Sequence, residues 1–318
     1  MSLDVFTLGE AMLRLSAPVG QSLETSPEYD VHVAGSEANV VSALSQLGRS
    51  TMWSSRVPDS VLGRRIVSSL RSVGVDCDSV ALSEEGRLGI YFVDIRPAPL
   101  STVVVYDRAA SAVCDMGVEE IDWSSISEAR VVHLSGITPA VSPNLAEIVN
   151  KIAVEVRESE SLLTFDVNYR AKLWTPEEAE RSLASILDSA DMLVCGIEDA
   201  RVVFGVHGTG PEVSLQLSER FSSSSVVVTA GADGAFWRQG TQAGHVPALP
   251  VRILDPLGAG DAFMAGLIDG LLDDDLQAGV ARGAALAGVA LATVGDQIRI
   301  TRAELLSLLE GKRPDVDR

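Results

Sequence analysis

Cysteine, histidine and basic side chains are scarce in this chain of 318 residues. Its three cysteines, Cys77, Cys114 and Cys195, lie far apart, which argues against a disulfide framework or a cysteine-based zinc site and fits a reducing cytoplasm. The four histidines are equally scattered and form no metal-ligand pattern. Lysine and arginine number 25 against 44 acidic residues, and the net charge of −19 repels phosphate backbones. No basic run compensates, so we expect no nucleic acid partner.

The sequence also lacks a long hydrophobic run and a secretion signal. The longest weakly polar stretch, residues 278–294, contains Arg282 and falls short of the roughly 20 apolar residues that a membrane span needs. We interpret it as a buried helix. The N-terminus carries Asp4 and Glu10 instead of a basic segment followed by an apolar one. We therefore expect a cytoplasmic protein with no membrane partner.

What the sequence does contain is a regular alternation of short apolar runs and amphipathic segments. Apolar residues recur at helical spacing over residues 37–47 and 59–73, and a glycine follows each segment. Short runs that suit a parallel sheet covered on both faces lie at residues 3–8, 131–134, 162–165, 192–194 and 226–229. This order predicts a single α/β domain over residues 1–318, with a mostly parallel central sheet and helices on both faces.

Two regions interrupt that alternation and predict a small separate sheet. Residues 11–33 and 88–107 each hold extended segments. The two segments of the second region are joined by the string RPAP at residues 96–99 with no helix between them, which indicates a hairpin turn. We expect these segments to form a β lid that covers an active site. The exposed edges of such a lid favour a homodimer or a higher homo-oligomer.

The most informative string is DPLGAGD at residues 255–261, which is followed at once by an apolar helical segment. Small residues at a helix N-terminus let backbone N–H groups converge, and the helix dipole adds positive potential, so this loop is a candidate anion site that would fit a phosphoryl group. The adjacent carboxylate of Asp261 is a candidate general base for an attacking hydroxyl. The alternative is that Asp261 only caps the helix while the glycines serve a tight turn.

This string resembles the C-terminal signature of the ribokinase-like (PfkB) carbohydrate kinases, and VAGSEANV at residues 33–40 resembles their N-terminal, sugar-binding signature. The resemblance implies a ribokinase-like fold with Asp261 as catalytic base and with Gly258, Ala259 and Gly260 as the anion hole. It also implies ATP and Mg²⁺ as cofactors and allows a monovalent cation. Gly35, Ser36 and Asn39 are then sugar-contacting residues, although a plain helix N-terminus explains them too.

Further strings extend the resemblance along the chain. VTAGADGA at residues 228–235 resembles the segment that meets the nucleotide, where glycines let backbone approach a ligand closely, although an ordinary turn explains it equally well. The implied nucleotide-binding residues are Thr229, Gly231, Asp233 and Gly234. Neither a Walker A loop nor a G-x-G-x-x-G string after the first strand is present, which disfavours P-loop and dehydrogenase interpretations.

The strings YDRAASA at residues 106–112 and DVNYRAKLW at residues 166–174 resemble the 2-keto-3-deoxygluconate kinases. The planar fork of arginine binds a carboxylate at two points, which suits an anionic sugar acid in a protein of net charge −19. Surface ion pairs are the alternative explanation for each arginine. The implied sugar-contacting residues of these strings, the lid and the C-terminal region are Tyr91, Tyr106, Arg108, Asn168, Arg170 and Asp296.

Three departures from the family pattern are visible. Ala34 replaces the first glycine of the N-terminal signature, and Asp107 stands where 2-keto-3-deoxygluconate kinases more often have an aromatic residue. The Asn-x-x-Glu string linked to magnesium begins with Cys195 and retains Glu198. We therefore expect Glu198 to act on Mg²⁺ indirectly, with Asp255 as a further candidate ligand.

These observations predict a kinase that transfers the γ-phosphate of ATP to a hydroxyl of a small sugar acid, with 2-keto-3-deoxygluconate as the expected substrate. A kinase for a neutral sugar such as fructose or ribose is the near alternative. A non-catalytic sugar or nucleotide sensor on the same fold is the second alternative, because one scaffold serves many functions.

Overall fold

The computed structural model describes residues 3–96 and 99–311. Pro97 and Ala98 of the predicted hairpin turn lie outside the described residues. The strands are β1 Val5–Leu8, β2 Met12–Ser16, β3 Asp30–Ala34, β4 Thr51–Pro58, β5 Val80–Ser83, β6 Ile90–Asp94, β7 Val103–Asp107, β8 Val131–Ser135, β9 Leu162–Asp166, β10 Met192–Gly196, β11 Ser225–Thr229, β12 Ala235–Gln239 and β13 Gln242–Val246.

The helices alternate with these strands along most of the chain. They are α1 Ser36–Gln46, α2 Val61–Arg71, α3 Trp123–Glu128, α4 Ile137–Val141, α5 Pro143–Arg157, α6 Pro176–Leu187, α7 Ile197–Phe204, α8 Gly210–Arg220, α9 Ala259–Leu271, α10 Leu276–Leu291 and α11 Arg302–Leu309. Short 3₁₀ helices lie at Ala112–Asp115, Val118–Glu120 and Gly231–Asp233. No helix within the described residues is both long enough and apolar enough to cross a membrane.

A large sheet runs through the centre of the described chain, with strand order β13-β12-β11-β10-β9-β8-β1-β4-β5. All neighbouring strands from β11 to β5 pair in parallel, whereas β12 and β13 are antiparallel. Successive strand side chains point to opposite faces of the sheet. Val131 belongs to the core cluster that contains residues of α1, α2 and α9 to α11, and Val132 belongs to the cluster that contains residues of α3 and α5 to α8. The prediction of a mostly parallel sheet with helices on both faces is therefore confirmed.

The small sheet has the order β3-β2-β6-β7. Two antiparallel pairs, β2 with β3 and β6 with β7, are joined through a parallel contact between β2 and β6. All four strands come from the two regions in which the sequence predicts extended segments without a helix. We call this sheet the lid, because it lies over the carboxyl ends of the central strands.

Most differences from the sequence prediction lie at element ends. Helix α2 begins at Val61, because Ser60 caps it by accepting a hydrogen bond from the Gly63 amide. Helix α10 ends at Leu291, three residues before the end of the stretch 278–294 that we interpret as a buried helix, and Asp296 lies in the loop that follows. The pair β12–β13 was not predicted, because the edge strand β13 is polar and carries no alternation of apolar residues.

Candidate active site

Two cavities meet at the N-terminus of α9. The lid cavity, of about 90 Å³, lies between the lid and the central strands, and the α9–α10 cavity, of about 250 Å³, lies beside the β11–β12 turn. The turn into α9 separates them, since Leu257 and Gly258 line the lid cavity while Ala259 and Gly260 line the other. Sites in α/β sheets form at the carboxyl ends of the strands, and both cavities lie there. The lid cavity brings together Gly35, Ser36, Asn39, Tyr91, Tyr106, Arg108, Arg170, Asp261 and Asp296.

Asp261 lies in the first turn of α9 and is held by α1. Its Oδ1 accepts a hydrogen bond of 2.7 Å from Ser36 Oγ, and its Oδ2 accepts one of 2.7 Å from Asn39 Nδ2. Burial raises the pKa of Asp261 to about 6, although these two hydrogen bonds oppose the rise. The carboxyl group is therefore ionised at neutral pH and still basic enough to accept a proton from a hydroxyl.

The turn before Asp261 leaves backbone N–H groups free of side-chain caps. Gly258 is the N-cap residue of α9 with φ of 80°, and no side chain of the described residues caps the helix. A Cβ at Gly258 would lie 2.5 Å from the Asp296 carbonyl oxygen, so both the backbone conformation and the packing require glycine. An uncapped N-terminus of a 13-residue helix is suited to an anion.

The positions of the side chains around Asp261 depend on close backbone packing before α1 and on the backbone conformation after β9. A Cβ at Gly35 would lie 2.3 Å from the Glu10 carbonyl oxygen, so only glycine lets α1 begin against the β1–β2 connection. Asn168 follows β9 with φ of 40°, a left-handed conformation that asparagine tolerates, and its Nδ2 donates to Ser36 Oγ at 3.0 Å. The predicted sugar-contacting residues Ser36, Asn39 and Asn168 are thus also the scaffold that orients Asp261.

Two arginines face the lid cavity with different partners. Arg108 forms a salt bridge with Glu10, which also accepts a hydrogen bond of 2.5 Å from Ser111 Oγ. Arg170 donates to the Tyr169 carbonyl at 3.1 Å and forms no salt bridge within the described residues. The charge of Arg170 also opposes the rise in the pKa of Asp261. Arg170 is therefore the arginine with the greater capacity to pair with an anionic ligand.

The α9–α10 cavity contains three of the four predicted nucleotide-binding residues. Thr229, Gly231 and Gly234 line it, opposite small and apolar side chains of α9 and α10. Small residues on α10 leave room for a flat ring between the helices and the β11–β12 turn. Asp233 is exposed and does not line the cavity, so its side chain is not brought to this site.

Comparisons with known proteins agree with this architecture. Residues 2–302 match the pfkB family carbohydrate kinase model. The chain belongs to the PfkB family of carbohydrate kinases. It is 35% identical to a 2-dehydro-3-deoxygalactonokinase of Haloferax volcanii, with all of both chains covered.

Solved structures of PfkB kinases share the fold. A 2-dehydro-3-deoxygluconokinase from Thermotoga maritima superposes with a TM-score of 0.91 at 30% identity, covering 98% of this chain and 99% of that one. A sugar kinase from Pyrococcus horikoshii in complex with ATP superposes with a TM-score of 0.82 at 25% identity, covering 95% and 97%. The ribokinase-like fold and the carbohydrate kinase activity predicted from the sequence are therefore confirmed.

The two predicted metal ligands lie outside the cavities of this PfkB kinase. Glu198 is 73% exposed and forms a salt bridge of 2.7 Å with Arg201, and Asp255 is fully buried in a salt bridge with Arg14. Both oxygens of Asp255 accept hydrogen bonds from the protein, so the structure does not support Asp255 as a metal ligand. The indirect role of Glu198 on Mg²⁺ stays a prediction. In the first turn of α7, adjacent residues point about 100° apart, so the sequence alone does not show which acidic residue faces inward.

Two further carboxylates lie near this site: Asp166, at the end of β9, interacts with Asp261 and with Asp199, in the first turn of α7. Burial, together with the charges of Asp199 and Asp261, raises the pKa of Asp166 to about 8. Burial also raises the pKa of Asp199, whose Oδ2 accepts a hydrogen bond of 3.1 Å from the Tyr169 amide. The charge of Arg170 opposes the rise in the pKa of Asp166, Asp199 and Asp261, and the described residues contain no cluster of three side chains that could by itself hold a metal ion. Asp166 begins a string that resembles the family, but only the structure shows its proximity to Asp199.

Proposed function

We propose that this PfkB kinase phosphorylates a hydroxyl of 2-keto-3-deoxygluconate or of its galactonate epimer, with ATP as the phosphoryl donor. The observation that carries the proposal is the meeting of the lid cavity and the α9–α10 cavity at residues 257–261. One turn there contacts both cavities, so an acceptor in one and a nucleotide in the other would meet at the uncapped helix N-terminus. The names of the relatives from Haloferax volcanii and Thermotoga maritima support a sugar acid as the acceptor.

The mechanism follows from the positions of Asp261 and the α9 turn. The ionised carboxylate of Asp261 accepts the proton of the acceptor hydroxyl as its oxygen forms the new bond to phosphorus. The backbone N–H groups of Gly258, Ala259 and Gly260 stabilise the charge on the transferred group while its bond to the leaving oxygen breaks. The proton remains on Asp261 until it is released to solvent, and the products are the phosphorylated sugar acid and ADP.

The carboxylate of the substrate would bind at the arginine end of the lid cavity. Arg170 forms no salt bridge with the described residues, although its charge acts on Asp166, Asp199 and Asp261. Arg108, in contrast, is already paired with Glu10. We propose that Arg170 binds the carboxylate while Arg108 and Glu10 together bind sugar hydroxyls. Tyr91 and Tyr106, whose rings lie 5.4 Å apart, would cover the ligand from the lid.

Mg²⁺ is the cofactor that the family implies, and Asp166 and Asp199 fit it. Burial raises the pKa of both carboxyl groups and the charge of Arg170 opposes both rises, so a bound cation would further favour the ionised carboxylates. Carboxylate oxygens are ligands that Mg²⁺ prefers, and the ion usually binds through one or two carboxylates and retains several waters. When bound, Mg²⁺ would neutralise charge on the phosphates of the donor. Binding of a monovalent cation stays a prediction. It can be tested by comparing the rate of ADP formation in buffers with and without K⁺.

The substrate is tested by measuring ADP release with ATP and a panel of acceptors: 2-keto-3-deoxygluconate, its galactonate epimer, fructose and ribose. We expect kcat/KM to be about 10- to 100-fold higher for the sugar acids, because a charge-assisted hydrogen bond contributes roughly 1.5 to 3 kcal/mol. Arg170→Gln should abolish this preference, whereas Arg201→Gln, on the exposed side of α7, should retain it.

Two results would contradict the proposal. Higher kcat/KM for fructose or ribose would favour a kinase for a neutral sugar. Calorimetric binding of a sugar acid without ADP release at saturating Mg²⁺ would favour a sensor.

We further propose that residues 1–318 form one domain and that this domain assembles into a homodimer through the lid edges β3 and β7. Light scattering of the purified protein measures its mass in solution and so tests the homodimer.

A further inference from the structure

An arginine of the lid is buried beneath the turn that leads into α9. Arg14 lies in β2, and its side chain is fully buried. One end of its guanidinium lies 2.5 Å from Asp255 Oδ2 and the other lies 3.2 Å from Asp296 Oδ2, while Nε donates to Ser16 Oγ at 2.7 Å. Both carboxylates belong to segments outside the lid. A single cation of the lid therefore joins two segments beneath the active site.

These two carboxylates flank the proposed anion hole. Asp255 begins the turn, and its Oδ1 accepts a hydrogen bond of 3.1 Å from the Leu257 amide. Its Oδ2 accepts another of 3.0 Å from the Gly295 amide, next to Asp296. The Asp296 backbone in turn packs directly on Gly258. The position of the Gly258 amide thus depends on both carboxylates, which Arg14 binds.

The cluster of Arg14, Asp255 and Asp296 is connected to the lid cavity by a tyrosine. Tyr91, in β6, donates a hydrogen bond of 2.5 Å to Asp296 Oδ2 and lines the cavity, whereas Arg14 does not line it. Burial raises the pKa of Asp296, and the charge of Arg14 opposes that rise. Without Arg14, two carboxylates would lie in a poorly solvated region with no cation between them. Arg14 thereby keeps the cluster intact without touching a substrate.

We propose that Arg14 is a positioning residue for phosphoryl transfer, which fixes the anion-hole turn from the lid. The inference rests on the proposed function of that turn. Its physical basis is that an anion hole stabilises the transition state only when its donors are held in place before the reaction. The planar fork of arginine can pair with Asp255 and Asp296 at once, whereas the point charge of lysine cannot hold both in the same geometry.

The test compares Arg14→Lys with a matched control, Arg49→Lys. Arg49 is also largely buried and also binds two carboxylates, Asp269 and Asp273, but at the far end of α9. Both replacements keep the positive charge of the side chain but remove the planar guanidinium that can pair with two carboxylates at once. We expect kcat of Arg14→Lys to fall about 10- to 100-fold with KM values within about threefold, because small misplacements of catalytic groups have effects of this size. Arg49→Lys should retain the wild-type kcat even if its Tm falls.

A second variant covers the case in which Arg14→Lys does not fold. Asp255→Asn removes the negative charge that pairs with the guanidinium and should lower kcat in the same way. In the double variant the losses should not add, because the two residues act as one unit. A folded Arg14→Lys or Asp255→Asn enzyme with the wild-type kcat would overturn the proposal, as would an equal loss in Arg49→Lys.

A binding measurement separates this inference from the proposed function. Calorimetry with AMPPNP, whose γ-phosphate is not transferred, should show weaker binding to Arg14→Lys than to Arg49→Lys, while both bind AMP equally. Equal AMPPNP affinities would count against a role of Arg14 at the anion hole even if the wild-type enzyme did not turn over. Absence of turnover by the wild type would contradict only the proposed function.

Discussion

Replacement of Asp261 by asparagine tests the general base with little disturbance of the structure. Ser36 Oγ and Asn39 Nδ2 both donate to the carboxylate at 2.7 Å. In Asp261→Asn, the amide oxygen can accept from Asn39, and the amide nitrogen can donate to the hydroxyl oxygen of Ser36, so both hydrogen bonds are retained. Because burial disfavours the ionised carboxyl group, a neutral amide should leave Tm unchanged or raise it.

The expected loss of activity is large. General base catalysis contributes about 100- to 10,000-fold, so kcat should fall by that factor, which corresponds to about 3 to 5 kcal/mol of activation free energy. The dissociation constants of the sugar acid and of the nucleotide should change little, because the amide keeps the shape of the site. The assay is ADP release at saturating substrates, with ligand affinities measured by calorimetry.

The pH dependence gives a second readout of the same group. The base must be ionised, so the wild-type kcat/KM should rise with pH through about 6, the pKa of Asp261, and at pH 5 should be about a tenth of its plateau. Asp274→Asn, an exposed replacement at the far end of α9, should change neither rate nor profile. A folded Asp261→Asn enzyme with kcat within about threefold of wild type would refute the role of this carboxylate as the base.

The remaining predictions concern the metal, the turn and the core. Asp199→Asn should raise the Mg²⁺ concentration needed for half-maximal activity by about tenfold, as expected for lost metal ligation, whereas Glu198→Gln should not; equal effects would contradict the assignment. Gly258→Ala should lower both kcat and Tm, because the left-handed conformation alone costs roughly 1 to 2 kcal/mol. Gly260→Ala has open space for its Cβ and should retain the wild-type Tm, so its unfolding would contradict the packing argument. Asp269 is fully buried among three arginines, and Asp269→Ala should lower the free energy of urea unfolding by about 3 to 5 kcal/mol. Burial would raise the pKa of Asp269, but the three arginines lower the pKa on balance. The stability of the wild type should therefore fall as the pH drops below about 4, and unchanged stability at pH 3 would contradict this prediction.

Local patterns in the sequence were sufficient to predict the fold class, the extended segments of the lid and the turn that precedes Asp261. Period-2 and period-3.6 repeats depend on which face of a single element is buried, and they are therefore visible within ten or fifteen residues. The string at residues 255–261 is equally local, since the turn and the helix that follows it are continuous in the chain. The polar edge strand β13 carries no such repeat and was missed.

The partners of the charged side chains were decided only by the tertiary structure. Arg14 lies 241 positions from Asp255 in the chain, and Glu10 lies far from Arg108, so no local pattern pairs them. The choice between Glu198 and Asp199 depends on the direction in which α7 leaves β10. The sequence gives the chemical type of each side chain. Its protonation and its availability to a ligand depend on neighbouring side chains that only the folded chain brings within a few ångströms.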